Sequence, residues 1–508
     1  MIEIDGHHLT LEQVVRVARH KEAVAISANG RENIERSRQC LEAIMATDRP
    51  VYGINTGFGI FADKRIPLSD SAKLSRNLIL SHAVGTGEPL PEEVVRAAML
   101  VRANTLAKGY SGVRFEVVNT LVEMLNCGVV PVVPSQGSLG SSGDLGPLSH
   151  LALVFTTDEA DREDESGWAS YQGKLMPGKQ AMDAAGLKRI NLGPKEGLAV
   201  NNGATFSAAL GALTVWDAEY LNEVAEAALS LSLEAMLGCP SAFDPRLHAA
   251  RGQRGQVEVA EHVRAITEGS SLIGSTARVQ DAYSLRCAPQ VQGACRDTVR
   301  FVRGVIEAEI NAATDNPLLF DPGVALSGGN FHGEPVGMVL DFLAIALAEL
   351  AAISERRVFR MTDVNLNNGL PPMLVDHPEA AGLNSGLMMP QYTAASLVLE
   401  NQTLAHPDSV HSLPTSGEQE DHNANAMTAA RHAKQVLENT CHVLAIELFT
   451  AARAVDLRLR SNPTAQLGSG TRMLFDRIRE QVPYQPGDAW WGPEIDRVRS
   501  MICHRNLI

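Results

Sequence analysis

The stretch Gly137 to His150, GSLGSSGDLGPLSH, sets Ser142 between a small residue and a glycine in a glycine-rich turn just ahead of an apolar segment. If the turn drives the amide nitrogen of Gly143 onto the carbonyl carbon of Ser141, a five-membered ring can close. Loss of water there and from the Ser142 side chain leaves an exocyclic methylidene, an electrophile made from the chain itself. Small residues are required because one backbone segment must approach another, and Gly143 has no Cβ to block the attack. Asp144 is placed to polarise the forming ring or to cap the following helix. Taken alone, a Ser-Ser-Gly turn is ordinarily only a loop with an N-cap.

The surrounding chain reads as mainly α. Gly333 to Arg357, Tyr392 to Leu404 and Asn425 to Leu457 carry Ala, Leu, Ile and Val at three- and four-residue spacing with few interior Gly or Pro. Helices apolar around most of their circumference pack inside bundles, so a long-helix bundle and self-association are expected. Aromatic content of 5% suits close packing of Ala and Leu better than a β-sandwich. The best strand signals, Ile2 to Ile4 and Val51 to Ile54, lie near the N-terminus. A boundary is expected near residue 195: a small α+β N-terminal part, 1–195, carries the electrophile-forming loop, and 196–508 forms the helical bundle and a helical tail.

A chain of 508 residues with 45% hydrophobic content can bury a large core. Its formal net charge of −15 argues against nucleic acid or anionic membrane as partner, since both need clustered Lys and Arg. The purest apolar run, Phe342 to Ala348, is too short to span a bilayer, and no basic-then-apolar leader opens the sequence. A cytoplasmic protein acting on a small molecule is expected. The seven Cys are spread without C-x-x-C pairs or metal-ligand spacing, so they read as reduced thiols and no metal is expected.

Three further constellations carry chemistry. YGINTGFG, Tyr52 to Gly59, puts a phenol on a glycine-rich loop able to close over a pocket; Tyr beside Gly is also common turn punctuation. QDAYSLRCAPQVQG, Gln280 to Gly293, sets Tyr283 and Arg286 on one helical face, where Arg suits an α-carboxylate and the bland alternative is a surface pair. EGLAVNNGAT, Glu196 to Thr205, offers Asn202 as a donor to a developing oxyanion, although Asn-Gly is also a strong turn dipeptide.

Together with TDNP (Thr314 to Pro317) and SGGNFHGEP (Ser327 to Pro335), these segments make six motifs in order from about residue 50 to about 460. The pattern strongly resembles the aromatic amino acid ammonia-lyases and related aminomutases, whose triad is usually Ala-Ser-Gly where this chain has Ser141-Ser142-Gly143. The resemblance implies an ammonia-lyase bundle, a 4-methylideneimidazole-5-one formed autocatalytically from that triad, no imported cofactor, and a homotetramer whose active sites share residues between subunits. It implies Tyr52 as general base, with its pKa lowered by positive potential, Asn202 as oxyanion support, Arg286 as carboxylate ligand, and Gln280, Tyr283 and Phe331 in the pocket.

Substrate choice turns on two places. His82 followed by Ala83, and Gln419-Glu420-Asp421-His422, are similar to the histidine-specific members. A carboxylate such as Glu420 can accept a hydrogen bond from imidazole or take part in proton transfer, whereas beside a phenyl ring it would be buried unpaired at roughly several kcal/mol. Deamination of L-histidine to trans-urocanate is therefore expected. Met388 to Tyr392, MMPQY, is more similar to the tyrosine enzymes, which leaves a lyase or 2,3-aminomutase for tyrosine, phenylalanine or a modified histidine open. A non-catalytic helical scaffold is the non-enzyme alternative; the G-x-S-x-G elbow of serine hydrolases and the fumarase-type G-S-S-x-M-P-x-K-x-N loop are both absent.

Overall fold

A computed structural model describes residues 1–47 and 49–508, and its described residues hold eighteen α-helices with a handful of two- and three-stranded sheets. The mainly helical expectation is correct. The three long helices are seen as Glu334–Thr362, Met388–Leu404 and Ala426–Ser461. By length and apolarity Glu334–Thr362 would also suffice to cross a membrane, but 67% of its most apolar window is buried within the protein, as in a core helix. Ile2–Ile4 is a strand, paired in parallel with Val24–Ile26.

Val51 to Ile54 is a turn, contrary to the strand reading. Gly53 sits at φ 70, and the Asn55 side chain folds back to accept the Val51 N–H at 2.7 Å, so local side-chain bonding overrides the β-branched run.

The chain forms two compact units, each drawn from three segments, where the sequence reading drew a single boundary near 195. The first comprises Met1–Trp216, Val302–Asp341 and Pro407–Arg431. At its centre lies Glu92–Ala107, buried at every residue from Val94 onward. Two of those residues are arginines, tolerated there because backbone carbonyls take their N–H groups: Arg96 donates to Val17 and Leu125, Arg102 to Ala199 and Asn202.

The second unit comprises Asp217–Phe301, Phe342–His406 and His432–Ile508. Ala351, Val358, Ala394, Val398, Val443 and Ile446 form one of its apolar clusters. Glu447 is fully buried in this unit, paired with the Arg357 guanidinium and accepting Ser232 Oγ at 2.7 Å and Ser354 Oγ at 2.6 Å. All seven cysteines are free thiols.

Candidate active site

The Ser141-Ser142-Gly143 turn is held against the Asn202-Gly203 turn that starts the helix Thr205–Met236. Gly143 adopts φ 82 and faces Gly203 so closely that a Cβ would fall 2.0 Å from the Gly203 carbonyl carbon. Only glycine fits both the angle and the gap. Asp144 N donates to Gly203 O at 2.9 Å, and Gly203 N returns to Ser142 O at 3.2 Å. The loop is also tied from later in the chain: Gly333 N donates to Gly140 O at 2.8 Å and Ala424 N to Ser141 Oγ at 3.1 Å. The extra hydroxyl at 141 thus serves as an anchor.

Asp144 does not cap its own helix, Leu145–Phe155. Its fully buried carboxylate accepts Ser138 Oγ at 2.7 Å, Ser207 N at 2.8 Å and Ser207 Oγ at 2.9 Å, so it caps the first turn of Thr205–Met236 instead. Burial pushes its carboxyl above the ordinary range, opposed by those hydrogen bonds.

Two N–H groups converge on the Ser142 carbonyl oxygen, Asn202 Nδ2 at 2.6 Å and Gly203 N at 3.2 Å. This is the geometry of an oxyanion hole. Asn202 is buried, and its Oδ1 has no hydrogen-bond partner among the described residues. Beneath it the Arg102 guanidinium fixes the Ala199 and Asn202 carbonyls at 2.9 and 2.7 Å and reaches Thr314 Oγ1 at 3.1 Å. Burial lowers Arg102 to about 10, so it stays charged at neutral pH. A second buried pair, Lys195 with Asp315, lies in the same unit.

Above the turn opens a cavity of about 960 Å³. Tyr52, His82, Ser142, Asn202, Phe331 and Glu420 all line it, so residues spread over much of the chain meet there. Ser142 Oγ donates to Glu420 Oε1 at 2.9 Å, and Thr415 Oγ1 donates to Glu420 Oε2 at 3.2 Å. Tyr52 Oη accepts Gly59 N at 3.4 Å. Its pKa is raised, contrary to the lowered value expected: burial and the Glu420 charge push the phenol up, and the Gly59 bond offsets only part. Burial holds the His82 imidazole below its ordinary value against the opposing pull of Glu420, which favours the neutral ring.

Gln280, Tyr283 and Arg286 lie in the second unit and are not among the cavity-lining residues. Tyr283 and Arg286 do share one helical turn, with the guanidinium 4.6 Å from the phenol centroid and Arg286 Nε donating to Asp281 O at 2.8 Å. Tyr283 is 70% exposed.

Lining residues that sequence reasoning assigned no role include Lys64, Asn316 and Gln419. Asn316 and Gln419 stood inside recognised motifs, TDNP and QEDH. Lys64 gave no signal, since a lone Lys after FGIFAD looks like any surface cation. Arg102 was equally silent in a helix whose sequence gives no hint of complete burial.

A mostly helical unit, a clamped Ser-Gly turn with paired donors on its carbonyl, and a roomy polar-apolar cavity above it form a site suited to an enzyme. The chain belongs to the aromatic amino acid lyase family, whose profile matches residues 9–480. It is 50% identical over 484 residues to the histidine ammonia-lyase of Caldanaerobacter subterraneus subsp. tengcongensis, covering 95% of this chain and 92% of that protein. The crystal structure of histidine ammonia-lyase from Trypanosoma cruzi superposes with a TM-score of 0.90 at 37% identity, covering 100% of this chain and 94% of that one. Tyrosine aminomutase from Streptomyces globisporus gives 0.91 at 34% identity, covering 99% and 97%.

Proposed function

We propose that this chain deaminates L-histidine to trans-urocanate and ammonia at an electrophile made from Ser141, Ser142 and Gly143. The observation that carries the reading is the pair of donors, Asn202 Nδ2 and Gly203 N, on Ser142 O. The residues present fit a 4-methylideneimidazole-5-one: ring closure leaves Ser142 O as the exocyclic oxygen, and a glycine at 143 is enforced by Gly203. Once formed, the group supplies an electrophilic carbon that captures the α-amine and makes it a competent leaving group.

The chain's own side chains then have separable tasks. Asn202 and Gly203 stabilise negative charge on the oxygen. Tyr52 removes the β-proton; its raised phenol must be brought down by positive charge, which the substrate's ammonium supplies on arrival. His82 and Glu420 receive the ring. Neutral His82 can accept or donate a hydrogen bond, and Glu420 can accept the imidazole N–H, whereas a phenyl ring would leave that carboxylate unpaired. The kinship to histidine ammonia-lyases at 45–50% identity supports the same substrate.

Arg286, Tyr283 and Gln280 are assigned to the substrate carboxylate and ring, supplied by a neighbouring subunit of a homotetramer. The exposure of Tyr283 and Gln280 supports this. A cytoplasmic location is proposed from the acidic composition and the free thiols. Likeness to tyrosine aminomutase favours a second reading, re-addition of the amine to the β-carbon of an aromatic substrate. The test is ultraviolet absorbance and ammonia release with histidine, tyrosine and phenylalanine supplied separately, alongside a Ser142→Ala control. Turnover of histidine alone, abolished in the control, supports the proposal; turnover of tyrosine or phenylalanine overturns the substrate choice, and a β-amino acid product favours the second reading.

A further inference from the structure

We infer that Glu420 is a catalytic residue for the protein's own maturation: it carries the proton that lets Ser142 lose water. The inference rests on the reading of Ser141-Ser142-Gly143 as the source of the electrophile. It starts from the hydrogen bond of Ser142 Oγ to Glu420 Oε1 at 2.9 Å, which brings a carboxylate to the hydroxyl that must depart. The carboxylate nearer in sequence, Asp144, is fully committed to Ser138 and Ser207. Tyr52 Oη is engaged by Gly59 N, and its phenol is pushed up. Thr415 Oγ1 on Oε2 and the Thr415–Glu420 backbone bridge hold the Glu420 carboxylate in place from its far side.

Maturation removes two waters. The first leaves as Gly143 N bonds to the Ser141 carbonyl carbon. The second takes the Ser142 Cα hydrogen and the Oγ hydroxyl. Once the ring has closed, that Cα lies between the imine nitrogen, Ser142 N, and the Ser142 carbonyl carbon, so its proton is acidic; the charge developing on Ser142 O falls on Asn202 Nδ2 and Gly203 N. Glu420 accepts the Cα proton, and the C–H electron pair becomes the Cα=Cβ bond. The Cβ–Oγ bond breaks, and Oγ leaves with its own hydrogen and the proton returned by Glu420. One water is released and the carboxylate is regenerated, with no second base and no external reagent. The same carboxylate is thereby freed from Ser142 to receive a substrate ring.

The test is intact-protein mass during maturation after cell-free synthesis, with peptide mapping across residues 137–150. Wild type is expected to become lighter by two waters. Glu420→Gln keeps the hydrogen-bonding shape but neither accepts nor returns the proton, and is expected to lose at most the ring-closure water, or to complete the second loss at least tenfold more slowly. Glu420→Asp should recover part of the rate. Complete loss of two waters by Glu420→Gln at the wild-type rate overturns the proposal. If wild type itself loses no water, the reading of the triad fails first, and the proposal falls with it for a distinguishable reason. Should Glu420→Gln not fold, as judged by circular dichroism, Glu420→Asp decides alone: maturation slowed tenfold supports the role, and wild-type speed refutes it.

Discussion

Replacing Asn202 with Ala removes one of the two N–H groups on Ser142 O and little else. Among the described residues the side-chain oxygen has no partner to lose, and the residue's backbone stays fixed because Arg102 binds its carbonyl, not its side chain. Gly203 N at 3.2 Å remains as the weaker donor, while the contact of 2.6 Å disappears. Loss of one oxyanion donor in a closed site costs about 3–4 kcal/mol of transition-state stabilisation, or roughly 10²–10³ in kcat. Fold stability should change far less, because Ser142 O keeps a partner. The assay is kcat for histidine on protein whose intact mass proves the electrophile complete, since a variant that failed to mature would lose activity for another reason. Asn202→Asp should be worse than Ala, as it points a carboxylate at the oxygen. A fully matured Asn202→Ala enzyme with kcat within threefold of wild type would refute the assignment of this pair as the oxyanion hole.

Other expectations follow from the same geometry. Gly143→Ala places a Cβ 2.0 Å from the Gly203 carbonyl carbon at a left-handed φ, so the turn should not close and the intact mass should show no water lost. Arg357→Met leaves Glu447 charged and unpaired inside the second unit, and denaturant unfolding should show a loss of about 3–5 kcal/mol. His82 is held below its ordinary 6.5, so the unfolded chain binds its proton more readily than the folded one. Its contribution to stability is therefore full above pH 6.5 and lost as pH falls through the lower folded value. The urea midpoint should fall less from neutral to acidic pH in His82→Gln than in wild type, and equal falls in both proteins would contradict the shift.

The long helices were legible because Ala and Leu recur over spans that no strand could use, and the family motifs fixed which distant residues would meet. Tyr52, His82, Phe331 and Glu420 do line one cavity with Ser142 and Asn202. What stayed hidden has a common cause: short-range pattern does not report on tertiary partners. Val51 to Ile54 has strand composition, but Asn55 bonds back onto it and turns it. Asp144 follows a loop and precedes a helix, the usual place of an N-cap, yet it serves the start of another helix, brought near only by folding. Arg102 and Lys195 look like surface cations until their buried partners are seen. The lowered phenol expected at Tyr52 also failed, because burial, reinforced by the Glu420 charge, pushes it up.

The clamps on the triad come from Gly203, Gly333 and Ala424, which the ribosome delivers long after Ser142. A growing chain that has not reached Ala424 lacks the last of them, so on the proposed reading the reactive carbon would form only once the polypeptide has closed around the triad. Its formation is a receipt for completed folding. On the proposed reading, the loss of two waters would give a permanent count, readable on a balance of mass, of how many molecules in any preparation once reached the native state, including those that have since unfolded.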